Sequence, residues 1–595
     1  MNTSFSPPAF GVERSLSGKR WRWRGGNMDM RSGTADPTQD LVTQLLRARG
    51  VSESDLDRER QPTLRSFLPD PAEFRDMTTA ADRIVQAILS EEKITIYGDY
   101  DVDGATSAAL LIRLLRMLGV EAEYYIPDRL LEGYGPTGSA LVELGRQGSS
   151  LVVTVDCGAM AHEALAMAHE AGVDVIVVDH HKCSADLPVA SALVNPNRLD
   201  ESDLAASHGH LAAVGVAFLL AIEVVRVLRQ RDYFDGREEP NLLSLLDLVA
   251  LGTVADVAAL RGLNRAFVAQ GLKVLAKRQN IGMAALLDTS RLKRAPVCSD
   301  LGFALGPRIN AGGRVGESTL GVRLLTTEDR EEAQFIAEQL SGLNEERRAI
   351  EREVQEASEQ LLESQRDNAV HVLAGEGWHP GVIGIVAGRV KEKTGKPSIV
   401  VALDNSTGQG KGSGRSIPGV DLGAAIIAAR EAGLLAAGGG HAMAAGLTIE
   451  ADRLNDLAAW LDERLAGAVA QARQSLDVAL DLGLAPGGVS PSLVEAMELA
   501  GPYGVGWPGP RVAVGPVELV KCDVVGSDHV RLIARGADGH SFKAIAFRIA
   551  DSDMGQTLLH ASRGRKLWLA GRVKIDDWGS RPAAEMHLED AAWAD

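Results

Sequence analysis

Through the first half of the chain, short apolar runs alternate with stretches whose apolar residues recur at helical spacing. Residues 93–98, 151–155 and 173–178 are rich in Val and Ile and have the length of buried strands. Residues 105–118 and 162–171 repeat apolar positions with a period near 3.6 and read as helices. Strands alternating with helices at this spacing predict a parallel sheet with right-handed crossovers. Residues 41–88, punctuated by Pro62, Pro69 and Pro71, predict an amphipathic helical segment ahead of it. Residues 242–251 and 263–287 predict further helix after it.

The pattern then changes. Residues 328–364 are helical in period and dense in charge, as a helix bridging two domains would be. Apolar runs at 371–374 and 398–403 open a second α/β unit that ends near Arg464. Pro486, Gly487 and Gly488 break the pattern. From Arg511 onward, strand-like runs such as 530–534 and 567–570 are separated by Gly and Asp turns. That predicts a small β-barrel, with the OB-fold as the candidate. The expected divisions are a disordered lead-in (1–38), a helical segment (39–88), a first α/β domain (89–327), a connecting helix (328–365), a second α/β domain (366–466) and the barrel (476–595).

Several domains suit a length of 595 residues. Aromatics are only 4% of the chain, so the cores must be built from Ala, Val, Leu and Ile. A net charge of −18 weighs mildly against a nucleic-acid binder. A metal site concentrates carboxylates, however, and a basic groove can coexist with an acidic exterior. The four cysteines form no CxxC pair, which suits a reduced compartment without disulfides. No run of 18 apolar residues occurs and residues 1–30 lack a signal-peptide core. The expectation is a cytoplasmic protein with no membrane partner.

Polar clusters give the pattern a chemical meaning. Asp99-Tyr100-Asp101-Val102-Asp103, Asp156-Cys157-Gly158 and Asp179-His180-His181 each follow an expected strand, and Asp256 follows a helical run. Open α/β sheets place their ligand crevice at the carboxyl ends of the strands. Residues two apart at an extended strand end point the same way, so Asp99, Asp101 and Asp103 are expected to face one cavity. A calcium loop is the alternative, but Gly104 opens directly into an apolar stretch. Packed carboxylates repel one another unless a cation joins them. Several carboxylates with adjacent imidazoles suit two Mn²⁺ or Mg²⁺ ions and phosphoryl-ester hydrolysis, with Asp156 as the bridge.

The second α/β unit carries glycine clusters with cationic or imidazole residues: Gly381 and Gly384 near His379, Gly410 to Ser416 around Lys411 and Arg415, and Gly438 to Gly440 before His441. Pro307 to Arg314 is another. None matches a P-loop. Together they suggest an anion cradle rather than flexible turns.

The strings GDYDVDGATS, VDCG, VDHH, GTVADV, PRINAGGR, GWHPGVIGIVAGR, GSGRS and GGGHAMAAG occur in that order. They resemble the DHH phosphoesterase superfamily and, within it, the 5′→3′ exonucleases specific for single-stranded DNA. The resemblance covers nearly everything beyond the lead-in. It implies a DHH parallel-sheet domain, a long helix, a DHH-associated α/β domain and an OB-fold. It implies Asp101, Asp103, Asp156, His180 and Asp256 as ligands of two Mn²⁺ or Mg²⁺ ions, with Asp99 and His181 as catalytic or supporting residues. Arg308, Asn310, Arg314, His379, Ser413, Arg415 and His441 would contact DNA. The implied role is mononucleotide release in recombination and repair, by a monomer working on a 5′ end beside a helicase and a single-strand-binding protein. In the barrel, Trp507, Phe542, Phe547 and Trp578 are the candidate stacking residues. A phosphodiesterase of short oligonucleotides or cyclic dinucleotides, a family II pyrophosphatase, and a silent scaffold are the alternatives. The first two look much shorter than this chain, and a scaffold would lack ligands that are all present here.

Overall fold

The computed structural model describes residues 7–25, 37–129, 132–474, 477–561, 564–576 and 582–594. Strand β1 (Trp21–Trp23) opens the chain. A helical segment follows, including Pro37–Ala48 and Met77–Leu89. The first sheet comprises β2 (Ile94–Gly98), β3 (Glu123–Tyr125), β4 (Leu151–Val155), β5 (Asp174–Val178) and β6 (Ala192–Val194). Its order is β3-β2-β4-β5-β6 and every pairing is parallel. Strands β2 and β4 are buried at every position, which is why they read as continuous apolar runs rather than alternations.

The 33-residue helix Arg330–Leu362 leads to a second sheet. That sheet contains β7 (His371–Glu376), β8 (Ser398–Asp404), β9 (Gln409–Arg415), β10 (Ala437–His441) and β11 (Ala444–Glu450), in the order β10-β11-β9-β8-β7. Only β7 and β8 pair in parallel; the other three pairings are antiparallel. The closing helix, Leu454–Gln474, runs beyond the expected end near Arg464.

The short strands β12 (Val478–Leu480) and β13 (Leu482–Leu484) introduce the barrel. It consists of β14 (Val512–Val525), β15 (His529–Gly536), β16 (Ser541–Ala546), β17 (Leu567–Asp576) and β18 (Ala583–Trp593). Pairing of β14 with β17 closes it.

The expected disordered lead-in (1–38) needs correction for its described parts, residues 7–25 and 37–38, the latter opening helix Pro37–Ala48. Strand β1 pairs in parallel with β12, and the fully buried Trp21 donates from Nε1 to Asp590 Oδ2 at 2.9 Å. Phe10 stacks on Trp568 with ring centroids 4.1 Å apart. A low apolar content hid a segment anchored by a few large rings. Residues 1–6 and 26–36 of that lead-in lie outside the described residues.

Arg265, with no exposed surface, joins three parts of the molecule. It donates to the carbonyls of Ala500 and Gly501 at 2.9 and 2.8 Å, pairs with Glu59, and lies 4.5 Å from the Trp507 ring. Trp507 is thus part of an interdomain contact. Phe542 is buried too, whereas Phe547 is exposed between the rings of His529 and His587. Trp578 lies outside the described residues.

Candidate active site

The acidic clusters converge at the carboxyl ends of β2, β4 and β5, as strand-end placement requires. Their local geometry differs from the sequence expectation. The helix after β2 is Val102–Met117 and starts earlier than residue 105, because Asp101 caps it. Asp101 Oδ1 accepts from Asp103 N at 2.9 Å and Gly104 N at 3.1 Å. Asp103 therefore faces the site from a first helical turn, not from extended backbone. Gly104 permits this approach; a Cβ there would lie 2.4 Å from the Asp99 carbonyl oxygen. Asp156 adopts a left-handed conformation, φ 61°, a strain of about 1–3 kcal/mol held by the surrounding sheet.

Two further elements complete the site. Asp103, fully enclosed, accepts from Ala213 N at 2.6 Å and Val214 N at 3.0 Å, where helix Ala213–Gln230 begins. His180 Nδ1 donates to the Leu211 carbonyl at 3.0 Å. Asp256 caps helix Leu246–Ala255 at its C-terminus, so the helical run ends at the site itself. Ligand-type atoms of Asp156, His180 and His181 lie within 4.8 Å of one another. The same holds for Asp103, His180 and Asp256, and for Asp99, Asp101 and Asp156. The groups share His180 and Asp156 and form one continuous cluster.

Its electrostatics need a cation. With Nδ1–H given to Leu211, His180 Nε2 is a bare lone pair, yet it stands 3.2 Å from Asp156 Oδ1. Both atoms are buried and lack hydrogen-bond partners, as does Asp99 Oδ1. Burial and then repulsion from Asp101 push Asp99 up to about 8. The same two causes push Asp256 up to about 7. Burial followed by neighbouring carboxylates drives Asp103 and Asp156 well above the ordinary range. Burial and then His181 lower His180, favouring the neutral form that ligates metals. Orphaned acceptors aimed at one another fit divalent cations.

Asp179 is a functional residue that the strand-end reading left without a role. Its Oδ1 accepts from His180 N, His181 N and His181 Nδ1 at 2.7, 3.1 and 2.8 Å, and its Oδ2 from Ala159 N at 3.0 Å. Burial alone would raise Asp179, but these bonds hold it down to about 2. His181 is in turn raised to about 9, its burial outweighed by Asp179. The residue preceding paired histidines is the signal that could have found it.

Beside the cluster, a cavity of about 660 Å³ lies between the two sheets. Arg314, Ser413 and Arg415 line it, together with Arg129, Tyr134 and Lys411. Arg129 and Tyr134 carried no sequence signal of their own. Tyr134 links cavity and cluster: its hydroxyl donates to the Asp156 carbonyl at 3.0 Å and stands 3.1 Å from His181 Nδ1. Among the described residues no carboxylate forms an ion pair with Arg129, Arg314, Lys411 or Arg415. Burial, then Arg129 and Arg347, lower Arg314 to about 10. The Lys411 and His441 glycine clusters are strands β9 and β10, not turns.

The sequence matches three family descriptions in order. Residues 93–253 match the DHH family, N-terminal domain; residues 367–467 the DHHA1 domain; and residues 480–590 the RecJ OB domain. The chain is 37% identical to the single-stranded-DNA-specific exonuclease RecJ of Dickeya dadantii, over 93% of this chain and 96% of the relative. The chain belongs to the RecJ family. RecJ of Escherichia coli is 34% identical over 95% of this chain and 99% of its own length. The crystal structure of RecJ in complex with Mn²⁺ from Thermus thermophilus superposes with a TM-score of 0.73 at 29% identity, covering 93% of this chain and 75% of that one. An exonuclease RecJ bound to manganese gives 0.56 at 33%, covering 67% and 97%.

In this RecJ-family chain the expected metal-ligand set, Asp101, Asp103, Asp156, His180 and Asp256, comes together with Asp99 and His181. The expected DNA-contacting set divides. Arg314, Ser413 and Arg415 line the large cavity, and His379 lines a smaller one of about 150 Å³ that shares Arg129 and Arg314. Arg308, Asn310 and His441 line neither. Arg308 instead donates to Ser341 Oγ at 2.9 Å on the long helix. Among the described residues no helix is long and apolar enough to cross a membrane, and the four cysteines are free.

Proposed function

We propose that this protein is a metal-dependent exonuclease that degrades single-stranded DNA from the 5′ end to mononucleotides, in recombination and repair. The observation that carries this reading is the pair of opposed, unpartnered acceptors, His180 Nε2 and Asp156 Oδ1, beside a cavity lined by unpaired cations. Asp101, Asp103, Asp156, His180 and Asp256 would hold two Mn²⁺ or Mg²⁺ ions. Bound there, the ions supply charge that polarises the scissile phosphodiester and lowers the pKa of the attacking water.

The chain's own residues do the remaining work. Asp179 orients both histidines through the bonds its Oδ1 accepts, and holds His181 beside the cluster, where its ring can exchange a proton with the reacting oxygens. Leu211, Ala213 and Val214 fix His180 and Asp103 through backbone groups. Arg314, Arg415, Ser413, Lys411 and Arg129 bind strand phosphates, and a 5′-terminal phosphate held there sets the polarity. A cavity of about 660 Å³ accommodates single-stranded nucleotides rather than a duplex. The closed barrel suits contact with the strand beyond the site. A monomer supplied with single strands by a helicase and a single-strand-binding protein completes the reading.

The test uses 5′- and 3′-labelled single strands with Mn²⁺, a blunt duplex and the Asp156→Ala variant. Mononucleotides should leave only the 5′ end of single strands, and the variant should release none. Turnover confined to dinucleotides would move the protein to the small-substrate phosphodiesterases.

A further inference from the structure

The open half of the second sheet carries a feature the exonuclease reading does not use. Directly opposed residues share a face of a sheet. Gly439 pairs with Gly446, Gly446 with Ser413, and Ser413 with Val400. On the same face, Ala437, Thr448 and Lys411 form the next row, and His441, Ala444 and Arg415 the row beyond. Helix Ile383–Thr394 covers this face over Leu373, Val400 and Ala402. Strands β9, β11 and β10 remain open to the cavity. Strand β9 thus presents Lys411, Ser413 and Arg415, and beside it lies a floor of bare peptide.

Neither backbone geometry nor packing requires the two floor glycines. Gly439 and Gly446 have no left-handed φ, and a Cβ on either would meet no atom within 4 Å. Glycines facing the other side differ. A Cβ on Gly412, Gly414 or Gly438 would come within 2.7, 2.7 and 2.9 Å of Leu447, Leu422 and Ile426. Glycine weakens a strand interior and often marks a close approach by a ligand. At Gly439 and Gly446, what the missing side chains preserve is the cavity.

We propose that the Gly439–Gly446 floor seats the nucleobase of the strand's 5′-terminal nucleotide, and that its lack of side chains makes the seat indifferent to which base arrives. The proposal rests on the exonuclease reading. Neighbouring strands lie about 4.8 Å apart, so Gly439 is about 10 Å from Ser413 across the sheet. That matches the span of a nucleotide from its phosphate, held by Lys411, Ser413 and Arg415, across the sugar to its base. Flat peptide accepts the face of any base, and the floor itself offers no side chain to read base edges.

The experiment measures kcat/KM of the full chain with Mn²⁺ on 5′-phosphorylated strands ending in A, G, C, T or an abasic tetrahydrofuran residue. The wild type should treat the four bases within about twofold and the abasic end about tenfold worse, the loss of one base face's contact with the floor. Gly446→Val should lose about tenfold on purine ends, less on pyrimidine ends and least on the abasic end. Valine suits a strand, so the fold is not weakened by propensity; Gly446→Ala should give the same order with smaller losses. A wild type that cleaves the abasic end as well as the others overturns the proposal while the exonuclease reading stands. Equal losses by Gly446→Val on all five ends, or none, also overturn it. Hydrolysis of no strand by the wild type overturns the exonuclease reading, and the proposal with it.

Discussion

His180 Nε2 faces Asp156 Oδ1 across 3.2 Å, and the ring's own proton is given to the Leu211 carbonyl. With Asp156 ionised the two are acceptors that repel, and burial beside other carboxylates raises the Asp156 pKa well above the ordinary range unless a cation joins them. The fold holds them there through the left-handed turn at Asp156 and the bond from His180 Nδ1 to the Leu211 carbonyl.

Removing one acceptor should therefore separate stability from activity. Asp156→Asn relieves carboxylate repulsion in the metal-free protein and should raise its Tm. Added Mn²⁺ should stabilise the wild type by several degrees and the variant little, since binding to the native state alone raises Tm. Hydrolysis should fall by on the order of 10³-fold, matching the loss of several kcal/mol of charge stabilisation. A variant with wild-type Mn²⁺ stabilisation would remove Asp156 from the ligand set.

Asp179 should act through the histidines it holds. Asp179→Ala should weaken Mn²⁺ dependence about 10–100-fold, as loss of a ligand-orienting carboxylate commonly does. Titrating activity against Mn²⁺ checks this: high metal should restore much of the rate, which it should not do for Asp156→Ala.

The unpaired arginines should govern strand binding. Arg415→Ala should raise KM for 5′-phosphorylated strands about tenfold or more, with a smaller change in kcat. It should also flatten the dependence of binding on salt, because one cationic contact is gone. Steady-state kinetics at two salt concentrations report both effects.

Trp21 should be worth more than its place near the start of the chain suggests. Trp21→Ala leaves a cavity against the barrel and orphans Asp590 Oδ2, at a cost of about 3–5 kcal/mol. Denaturant unfolding followed by barrel fluorescence should reveal the loss.

Acid should weaken the second domain through His371. The ring is buried, neither nitrogen has a hydrogen-bond partner, and burial together with Lys396 lowers its pKa to about 4. The unfolded chain binds that proton near pH 6.5, so unfolding takes up a proton between the two values. Stability is complete above about 6.5 and declines as pH falls towards 4, by on the order of 2 kcal/mol. Replacing the ring by His371→Leu should flatten that part of the stability–pH curve.

The sequence by itself determined the parallel sheet, the long helix and the barrel, since burial on both faces, helical charge pattern and turn chemistry each leave a local period. It also placed the three polar clusters at strand ends, where topology makes them meet. Tertiary structure alone decided the rest. Asp103 approaches from a helix because Asp101 caps it, and Asp179 matters because three N–H groups converge on one oxygen. Arg129 and Tyr134 enter the cavity only when two lobes come together. The N-terminal strand is ordered by a partner, β12, that lies more than 450 residues away in sequence. Local periodicity records which way a residue faces; it does not record what stands opposite.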